Sequence, residues 1–514
     1  MAIEGKDPLF QLIKSLSKSE KRQFKLYVGR LEVNSNANFL ALFKVLEKLD
    51  CYDEKVILSK TRIIKRQLSN AKAHLYKQIL ISLRLSPLHK NIRSTIREQM
   101  DFASILYNKG LYKQSLKVLD KAKSLALSHN ELNLAYELVE LEKLVESQYI
   151  TRSINNRADM LSIQAKELMI RNVFTSKMSN ISLQLYSLFL KEGYAKNDKD
   201  LKRVNDYFKA RMPKYKFEDL GFRERLFLYQ ANLWRSLIVQ DFIAGYRNAK
   251  KWVGLFEEHP EMKKVNPVFY LKGLNYLLES LFYLRHPKFD AVLALLDSEI
   301  ESEEYFVNEN TRSLAFQYIF QHKINYFFSK GEFTKGLEIL PELTAKLEEN
   351  KGVIDEHHVM VFYYRIASLY FGASDFENCI VYLDKIISNK ELKMREDLLC
   401  FARVLNLVSH YELGRDERIE ELIRSTYHYL IKLNEMHKVK IAMISFLKNL
   451  ANLYPHELKG AFKELYQELL PLRDHPYEGR AFLYLDILSW LESHIKGIPV
   501  EQVIKSKIKT SATS

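Results

Sequence analysis

A row of basic residues near the start of the chain has the chemistry needed to bind phosphate or carboxylate groups. Residues 55–97 hold eleven Lys and Arg and no acidic residue. Four of these project from one face of a helix predicted over Thr61–Leu85, and two more lie on its flank: Arg62, Arg66, Lys77 and Arg84, then Lys65 and Lys72. Three interpretations stay open, namely a solvated face or subunit contact, an acidic protein partner, and nucleic-acid phosphates, whose neutralisation releases counterions.

The absence of Gly near the predicted basic helix bears on whether DNA could be read in a sequence-specific way. A DNA-reading helix-turn-helix usually carries a Gly in the turn between its two short helices. No Gly occurs between Asp53 and Leu85. The sequence therefore argues against sequence-specific reading of DNA and leaves contacts with the nucleic-acid backbone open.

An acidic stretch later in the chain offers an internal partner for the basic segment. Residues 289–311 contain seven Asp and Glu and no Lys or Arg. If the chain curls, or if two copies pack head to tail, this stretch would meet residues 55–97 and drive self-association. The alternative is a solvated loop between two repeats.

Residues with catalytic or metal-binding chemistry show no useful spacing. His357 and His358 would point about 100° apart on a helix and so do not readily share a metal ion, and Asp355 is expected to cap that helix. The motifs HExxH, GxGxxG, GxxxxGK[ST] and GxSxG do not occur in the sequence. We therefore predict no catalytic residue, no cofactor and no metal site, and a protein that is not an enzyme.

Composition favours long helices in a reducing compartment. Gly (16) and Pro (11) are scarce among 514 residues, which disfavours sheet-rich folds and Gly-rich cofactor loops. The three Cys have neither disulfide-framework nor zinc-ligand spacing. No signal peptide and no stretch of about 18 apolar residues is visible, so we expect a cytoplasmic protein without membrane contact.

The helices that must position any binding site follow a repeat. The template G-x-Y-x-x-S-x-x-x-L-x-x-A at 110–122 returns with related residue types at 331–343 and 374–386. Its anchors recur 41 to 47 residues apart, except for one gap of 89: Tyr112, Leu201, Phe242, Phe289, Phe333 and Phe376. The gap implies a degenerate unit near residue 155. Each unit is expected to be a helix pair that buries its apolar face by stacking on its neighbours.

This pattern resembles the tetratricopeptide repeat (TPR) family over about 300 residues. That family places a small residue in the first helix and an aromatic residue three positions later. Ser280 and Ala367 are followed in this way by Tyr283 and Tyr370, and Ala103 precedes its anchor by nine residues, as Ser280 and Ala367 do. The family period is about 34 residues, so the helices or loops here must be longer.

The resemblance implies a peptide-binding concave surface lined by the first helix of each pair. By position, seven exposed side chains would contribute to it: Gln230, Trp234, Tyr318, Gln321, Asn325, Tyr364 and Ser368. Asn325 stands where family members often place an Asn that binds the ligand backbone, whereas the family's basic carboxylate clamp is not reproduced. For each residue, ordinary packing between helices is the alternative.

These features predict an all-α protein, an α-solenoid of antiparallel TPR-like helix pairs with a small basic helical N-terminal domain. The predicted boundaries are 1–95 for the basic domain, 96–498 for the solenoid and 499–514 for a disordered tail. Most of the net charge of +14 lies at the start, where residues 1–100 hold 20 basic and 9 acidic residues. The basic domain is expected to contain three helices, Leu9–Arg30, Asn38–Leu49 and Thr61–Leu85, with a possible internal helix start at Ser17-x-x-Glu20.

The predicted function is a non-enzymatic protein- or peptide-binding scaffold or adapter that uses the concave face of the solenoid. The alternative is a nucleic-acid-associated regulator, in which the basic domain binds DNA or RNA and the solenoid senses a partner.

Overall fold

A computed structural model of the chain describes residues 7–30, 38–86, 91–149, 156–301, 308–350, 353–389, 396–432, 438–450, 453–479, 482 and 486–512. Across these ranges the regular secondary structure is helical and no β-strand occurs. The all-α prediction is therefore confirmed for this part of the chain. None of the helices in these ranges combines the length and apolar composition needed to cross a bilayer.

The chain forms two compact units, Met1–Ala165 and Lys166–Ser514. The boundary predicted at residue 95 falls inside the first unit and stays a prediction. The first unit contains eight helices among its described residues: α1 (Pro8–Ser15), α2 (Lys18–Arg30), α3 (Asn38–Lys48), α4 (Glu54–Lys60), α5 (Lys65–Leu85), α6 (Ile92–Asn108), α7 (Tyr112–Ser128) and α8 (Leu132–Tyr149). The next helix, α9 (Arg157–Glu192), contributes residues to both units.

The basic end of the first unit has its own apolar core. Phe24 of α2 and Phe43 of α3 pack with ring centroids 4.8 Å apart, and Leu75 and Ile79 of α5 are buried in the same cluster. The spacing of four between Leu75 and Ile79 places both on one helix face, as the apolar stripe predicts. That stripe fixes which side of α5 is left for solvent.

The expectation of three helices in this region is wrong, since α1 to α5 are five. α4 was not predicted, α3 ends one residue before the predicted Leu49, and the other two predicted helices have different bounds. The predicted helix Leu9–Arg30 is split into α1 and α2, because Ser17 and Glu20 form a capping box in which each side chain accepts from the other's backbone N–H, at 2.6 and 3.2 Å. The helix start predicted there is thus confirmed. The helix predicted from Thr61 begins at Lys65, so Arg62 precedes it.

The second unit continues as a series of helices. In its described residues these are α10 (Asp198–Arg211), α11 (Phe222–Ile238), α12 (Phe242–Glu258), α13 (Glu261–Val265), α14 (Pro267–Tyr283), α15 (Phe289–Glu301), α16 (Glu309–Lys330), α17 (Phe333–Gly336), α18 (Leu340–Glu349), α19 (Glu356–Gly372), α20 (Phe376–Ile387), α21 (Glu396–Glu412), α22 (Asp416–Lys432), α23 (Lys438–Leu450), α24 (Pro455–Leu469), α25 (Ile487–Lys496) and α26 (Val500–Ala512). Neighbours in the chain are also neighbours in space, since α11 packs on α12, α12 on α14, α14 on α16, and α19 on α20.

The sequence anchors mark helix starts. Five of the six are the first residue of a helix: Tyr112, Phe242, Phe289, Phe333 and Phe376. Four of these helices, α7, α12, α17 and α20, follow a residue in the left-handed backbone region two positions earlier. At two of these positions, Gly110 and Gly331, the absence of a Cβ makes that conformation inexpensive. The repeat in sequence is therefore a repeat of tight helix-to-helix turns.

Two segments are organised differently from the prediction. Where a degenerate helix pair was expected near residue 155, α9 runs for 36 residues without a break. It contains neither Gly nor Pro, and it ends just before Gly193, whose φ is 74°.

The tail predicted to be disordered, 499–514, instead contains α26. Val503 is buried, and the Glu501 carboxylate accepts a hydrogen bond from Thr334 Oγ1 at 2.6 Å. Val500, Val503 and Ile504 share one helix face, and Ile504 packs so closely on Gly331 that an added Cβ there would lie 2.9 Å from its Cγ2. The polar end of the sequence concealed this short amphipathic segment.

Candidate functional site

A cavity in the second unit is lined by most of the residues predicted to bind a peptide. Its volume is about 200 Å³. The walls come from the end of α9 and from α11, α14, α16 and α19, together with Leu398 of α21. On each of α14, α16 and α19, residues three or four positions apart face the cavity, which is the spacing of one helix face. The lining residues used below are Tyr186, Trp234, Asn275, Tyr276, Glu279, Tyr283, Tyr318, Asn325 and Arg365.

One end of the cavity is built from aromatic rings. Trp234 of α11 lies with its ring centroid 4.8 Å from that of Tyr186 and 5.5 Å from that of Tyr276. Phe189 also packs on Trp234, with ring centroids 5.6 Å apart. Offset and tilted arrangements at these distances are favourable for aromatic pairs, so the rings hold one another in place.

A polar chain along the cavity wall runs through three helices. The Arg365 guanidinium of α19 donates to Asn325 Oδ1 of α16. The Asn325 amide lies 3.4 Å from His322 Nδ1, and His322 Nε2 lies 2.9 Å from Asn275 Oδ1 of α14. These contacts are consistent with an imidazole that accepts at Nδ1 and donates at Nε2. The chain therefore ties together the three helices that supply most of the cavity wall.

The imidazole in this chain is kept neutral. Burial, reinforced by the positive charge of Arg365, lowers the pKa of His322 to about 3. A neutral histidine can pass a hydrogen bond from one neighbour to the next, whereas an imidazolium would present two donors and conflict with the Asn325 amide. His322 is thus a structural relay and has no position from which to exchange protons with solvent.

One carboxylate and two further phenols, from Glu279, Tyr194 and Tyr283, line the same cavity. The Tyr283 hydroxyl donates to Glu279 Oε1 at 3.4 Å and lies 3.4 Å from the Tyr194 hydroxyl. Glu279 is the one acidic residue among those that line the cavity. Burial, together with neighbouring charges that include Glu279, raises the pKa of Tyr276 and of Tyr318. Both phenols therefore stay neutral, and both lie within electrostatic reach of the same carboxylate.

The structure brings six of the seven predicted peptide-binding residues to this cavity: Trp234, Tyr318, Gln321, Asn325, Tyr364 and Ser368. Gln230 is half-buried one turn earlier on α11 and does not line it. The expectation that these side chains are exposed is wrong for three of them, since Trp234, Asn325 and Tyr364 are 6 %, 1 % and 4 % exposed. Adjacent helices pack over these side chains, and the Asn325 amide forms hydrogen bonds with His322 and Arg365.

Sequence reasoning missed the charged residues of the cavity. Glu279 and Lys272 are the only charged residues of α14, whose sequence is otherwise dominated by apolar and aromatic residues. An acid in such a helix is a usable signal, because burial of a carboxylate is costly unless something compensates it. Arg365 and His322 carry no comparable signal, since their roles depend on a partner about 40 to 50 residues away in the sequence.

Of the six residues of the predicted basic surface, two form ion pairs and four do not, within the residues that the structure describes. Lys72 is held by Asp7 and by the Tyr52 hydroxyl, the latter at 3.1 Å, and Arg84 pairs with Asp101 at 3.3 Å. The other four predicted residues are exposed and form no ion pair with the residues that the structure describes: Arg62, Lys65, Arg66 and Lys77. Arg62 precedes α5, Lys65 and Arg66 lie in its first turn, and Lys77 lies just beyond its midpoint.

The connection before α5 differs from the expectation. α4 and α5 are joined by four residues without a Gly, although the missing Gly had argued against such a turn. Thr61 closes it, because its Oγ1 donates to Ile57 O at 2.9 Å and accepts from the Ile63 N–H at 3.4 Å. Ile63 is buried beneath the turn. A side-chain hydroxyl and an apolar anchor thus replace glycine here.

The described part of the acidic stretch 289–311 is mostly helical, so the alternative interpretation of a solvated loop is wrong for residues 289–301. Residues 289–301 form α15, whereas 302–307, with Glu303 and Glu304, lie outside the described residues. Three of its acids already pair with lysines of the second unit: Glu299 with Lys263, Asp297 with Lys323 and Asp290 with Lys330, at 2.8, 3.3 and 2.7 Å. Its negative charge is therefore partly neutralised locally.

Asp355 and His358, which were considered for metal or catalytic chemistry, take part in capping α19. Asp355 caps α19 by accepting from the His358 N–H at 3.1 Å, which confirms that prediction, and it also contacts His358 Nδ1 at 2.6 Å. Within the ranges given above, no three His, Cys, Asp or Glu side chains are grouped so that they could hold a metal ion.

No protein-family model matches the chain, and no curated protein matches its sequence significantly.

Proposed function

We propose that the chain is a TPR-like α-solenoid of antiparallel helix pairs that binds a peptide segment of a partner protein in the cavity of its second unit, without catalysing a reaction. The observation that carries this proposal is the convergence of aromatic and amide side chains from α11, α14, α16 and α19 on one cavity. Such side chains suit peptides, since rings stack on apolar parts while hydroxyls and amides bond to the backbone. The tight turns at the repeat anchors support the solenoid part of the proposal.

A peptide library tests this function directly. A displayed library of random twelve-residue peptides is selected on the full-length chain, and enriched peptides are synthesised and titrated by calorimetry. Tyr318→Ala, which empties the cavity wall, is expected to weaken binding by about tenfold or more, as for a central aromatic contact. Tyr454→Ala is the matched control, because Tyr454 is an exposed tyrosine of the same unit and does not line the cavity.

The outcomes separate clearly. Enriched peptides that lose affinity with Tyr318→Ala and keep it with Tyr454→Ala support the proposal. No enrichment, or equal losses in both variants, overturns it.

Nucleic-acid binding is the second candidate, and one observation favours it. Arg62, Lys65 and Arg66 are exposed at the four-residue connection between α4 and α5, which is the length typical of a helix-turn-helix, and Lys77 is exposed further along α5. We propose that this basic α5 surface, defined by these four residues, contacts the phosphates of duplex DNA. The protein would then be a nucleic-acid-associated regulator whose second unit senses a peptide.

Salt dependence tests the second candidate. If each of the four side chains neutralises one phosphate, affinity for a 30-base-pair duplex should fall about a hundredfold between 50 and 200 mM salt. Reversing all four residues to Glu should abolish most of that dependence. The control reverses four exposed lysines elsewhere in the same unit, with the same change in net charge: Lys109, Lys113, Lys117 and Lys121. If both quadruple variants lose the same DNA affinity, binding depends only on the net charge of the protein, and the α5 site is overturned.

A further inference from the structure

The side of α5 that faces away from the core carries charged, amide and small side chains between residues 66 and 77. Five exposed residues project from this side within an arc of about 100°: Arg66, Ser69, Asn70, Ala73 and Lys77. The buried Leu68 and Leu75 lie opposite that arc. α5 contains no Asp or Glu, so no residue of the helix neutralises its cations. The apolar stripe thus leaves a positively charged helix face exposed.

The N-terminus of α5 favours an anion. Its N-cap residue, Ile64, has no side-chain group that could accept a hydrogen bond from the first turn. That turn contains Lys65 and Arg66 but no acidic residue, so two cations lie at the positive end of the helix dipole. A phosphate oxygen bound there would accept from backbone N–H groups and offset both sources of positive charge.

The dimensions of this helix face match the major groove of duplex DNA. Arg66 and Lys77 are separated by about 16 Å along the helix axis at 1.5 Å per residue, which corresponds to about five base pairs. The major groove of B-DNA is wide enough to admit an α-helix. Ser69 and Ala73 are small residues between the two cations, so they permit the helix to approach the floor of the groove while the cations contact phosphates on either side.

The residue types between the cations are those that contact base edges. The Asn70 amide presents one donor and one acceptor, which match N7 and N6 of adenine. The Ala73 methyl group suits contact with the C5 methyl group of thymine. The Ser69 and Asn70 side chains form no hydrogen bond with the residues that the structure describes, so a ligand would not have to displace an internal partner.

The part of this face that permits close approach ends near Lys77. Tyr76 and Leu80 are large exposed side chains at that end. Arg84, further along the same face, pairs with Asp101 of α6 at 3.3 Å. Duplex RNA is a poorer fit than DNA, because its major groove is too deep and narrow for side chains to read.

We infer that α5 binds in the major groove of duplex DNA, where Asn70 reads an adenine and Ala73 contacts a thymine methyl group. This inference rests on the proposed contact of the basic α5 surface with DNA phosphates, and it adds a sequence preference to that contact. The absence of Gly had argued against sequence-specific reading, but Thr61 closes the connection before α5 without one. Phosphate contacts position the helix, and base contacts make it specific.

Selection from a duplex library identifies the sequence that this site prefers. Full-length protein at physiological salt is incubated with 30-base-pair duplexes that have a random centre, and the bound duplexes are amplified and sequenced. The enriched duplex and a scrambled duplex of the same base composition are then titrated by fluorescence anisotropy. We expect the enriched sequence to contain A·T pairs and to bind at least about tenfold more tightly than its scrambled form.

Variants connect this preference to α5. Asn70→Ala removes the amide without changing the charge, and it should reduce the preference about tenfold while leaving the affinity for the scrambled duplex and its salt dependence unchanged. Ala73→Leu adds bulk at the centre of the face and should weaken the enriched duplex more than the scrambled one. Gln114→Ala, which removes an exposed amide of α7 in the same unit, is the matched control and should keep the preference.

The results distinguish this inference from the proposed phosphate contact. Salt-dependent binding of all duplexes without an enriched sequence overturns the base reading and leaves the phosphate contact intact. An enriched sequence without A·T pairs, an unchanged preference in Asn70→Ala, or an equal loss in Gln114→Ala overturns the base reading in the same way. A duplex RNA of the enriched sequence that binds as tightly as the DNA overturns the major-groove placement. If no duplex binds even at low salt, the inference and the proposed DNA contact both fail.

Discussion

Lowering the pH should weaken the second unit through His322, by an amount that follows from its burial. Its folded-state pKa of about 3 lies below the value of 6.5 for an unperturbed histidine. The unfolded chain therefore binds the extra proton first, and stability present above pH 6.5 is lost as the pH falls toward 3. At 1.36 kcal/mol per pKa unit the full loss is about 5 kcal/mol, of which about 2 kcal/mol is lost by pH 5.

Urea unfolding of the wild type and His322→Gln measures this loss. The glutamine cannot titrate and still offers an amide near Asn275. The difference in unfolding free energy between the two proteins should shrink by about 2 kcal/mol between pH 7.5 and pH 5. Other titrating groups, including Asp355, cancel in this difference. His456→Gln, which changes an exposed histidine of α24, is the control and should follow the wild type.

The reasoning is refuted if that difference is the same at both pH values. The imidazole would then not be held neutral, and the hydrogen-bond chain from Arg365 to Asn275 would be assigned wrongly. A pH dependence that appears equally in His456→Gln would point to a general effect of acid on the fold.

Close packing at a glycine and the burial of a thiol give two more measurable outcomes. In Gly372→Ala the new Cβ would lie 2.3 Å from two ring atoms of Phe333, so urea unfolding should show a loss of about 1–3 kcal/mol. Gly254→Ala, with nothing within 4 Å of its Cβ in α12, should instead gain about 0.5–1 kcal/mol, and equal effects would contradict the packing. Burial raises the pKa of the Cys379 thiol to about 12, so a disulfide reagent at pH 8 should titrate exposed Cys51 rapidly and Cys379 only after unfolding. Rapid reaction of both thiols in the native protein would contradict the burial.

Local patterns in the sequence were sufficient for the helix starts and turns. The anchors Tyr112 and Phe242 begin helices because each follows a tight turn, and such a turn depends on a few adjacent residues. The capping box at Ser17 and the cap at Asp355 are local in the same sense, since each bond joins residues three apart. Where the local signal was weak, the prediction failed, as in the uninterrupted α9 and the amphipathic α26.

The residues of the cavity were predicted in part for a similar reason. Periodicity assigns Tyr318, Gln321 and Asn325 to one face of α16, and the family resemblance selects that face as a binding surface. Neither the periodicity nor the resemblance indicates how closely the next helix packs against that face of α16. Their burial, and the use of Asn325 as a partner of His322 and Arg365, therefore could not be anticipated.

By itself the sequence determined that the chain is helical, where most turns fall, and which face of each helix carries aromatic and amide groups, because these depend on residues within a few positions of one another. Only the tertiary structure decided that Glu279 shares a cavity with Tyr318, and that His322 is neutral between Asn275 and Asn325. Glu279 and Tyr318 belong to helices some 40 residues apart, whose distance is set by packing. Charge, burial and pKa depend on every group within a few ångströms, and helical periodicity carries no information about which groups those are.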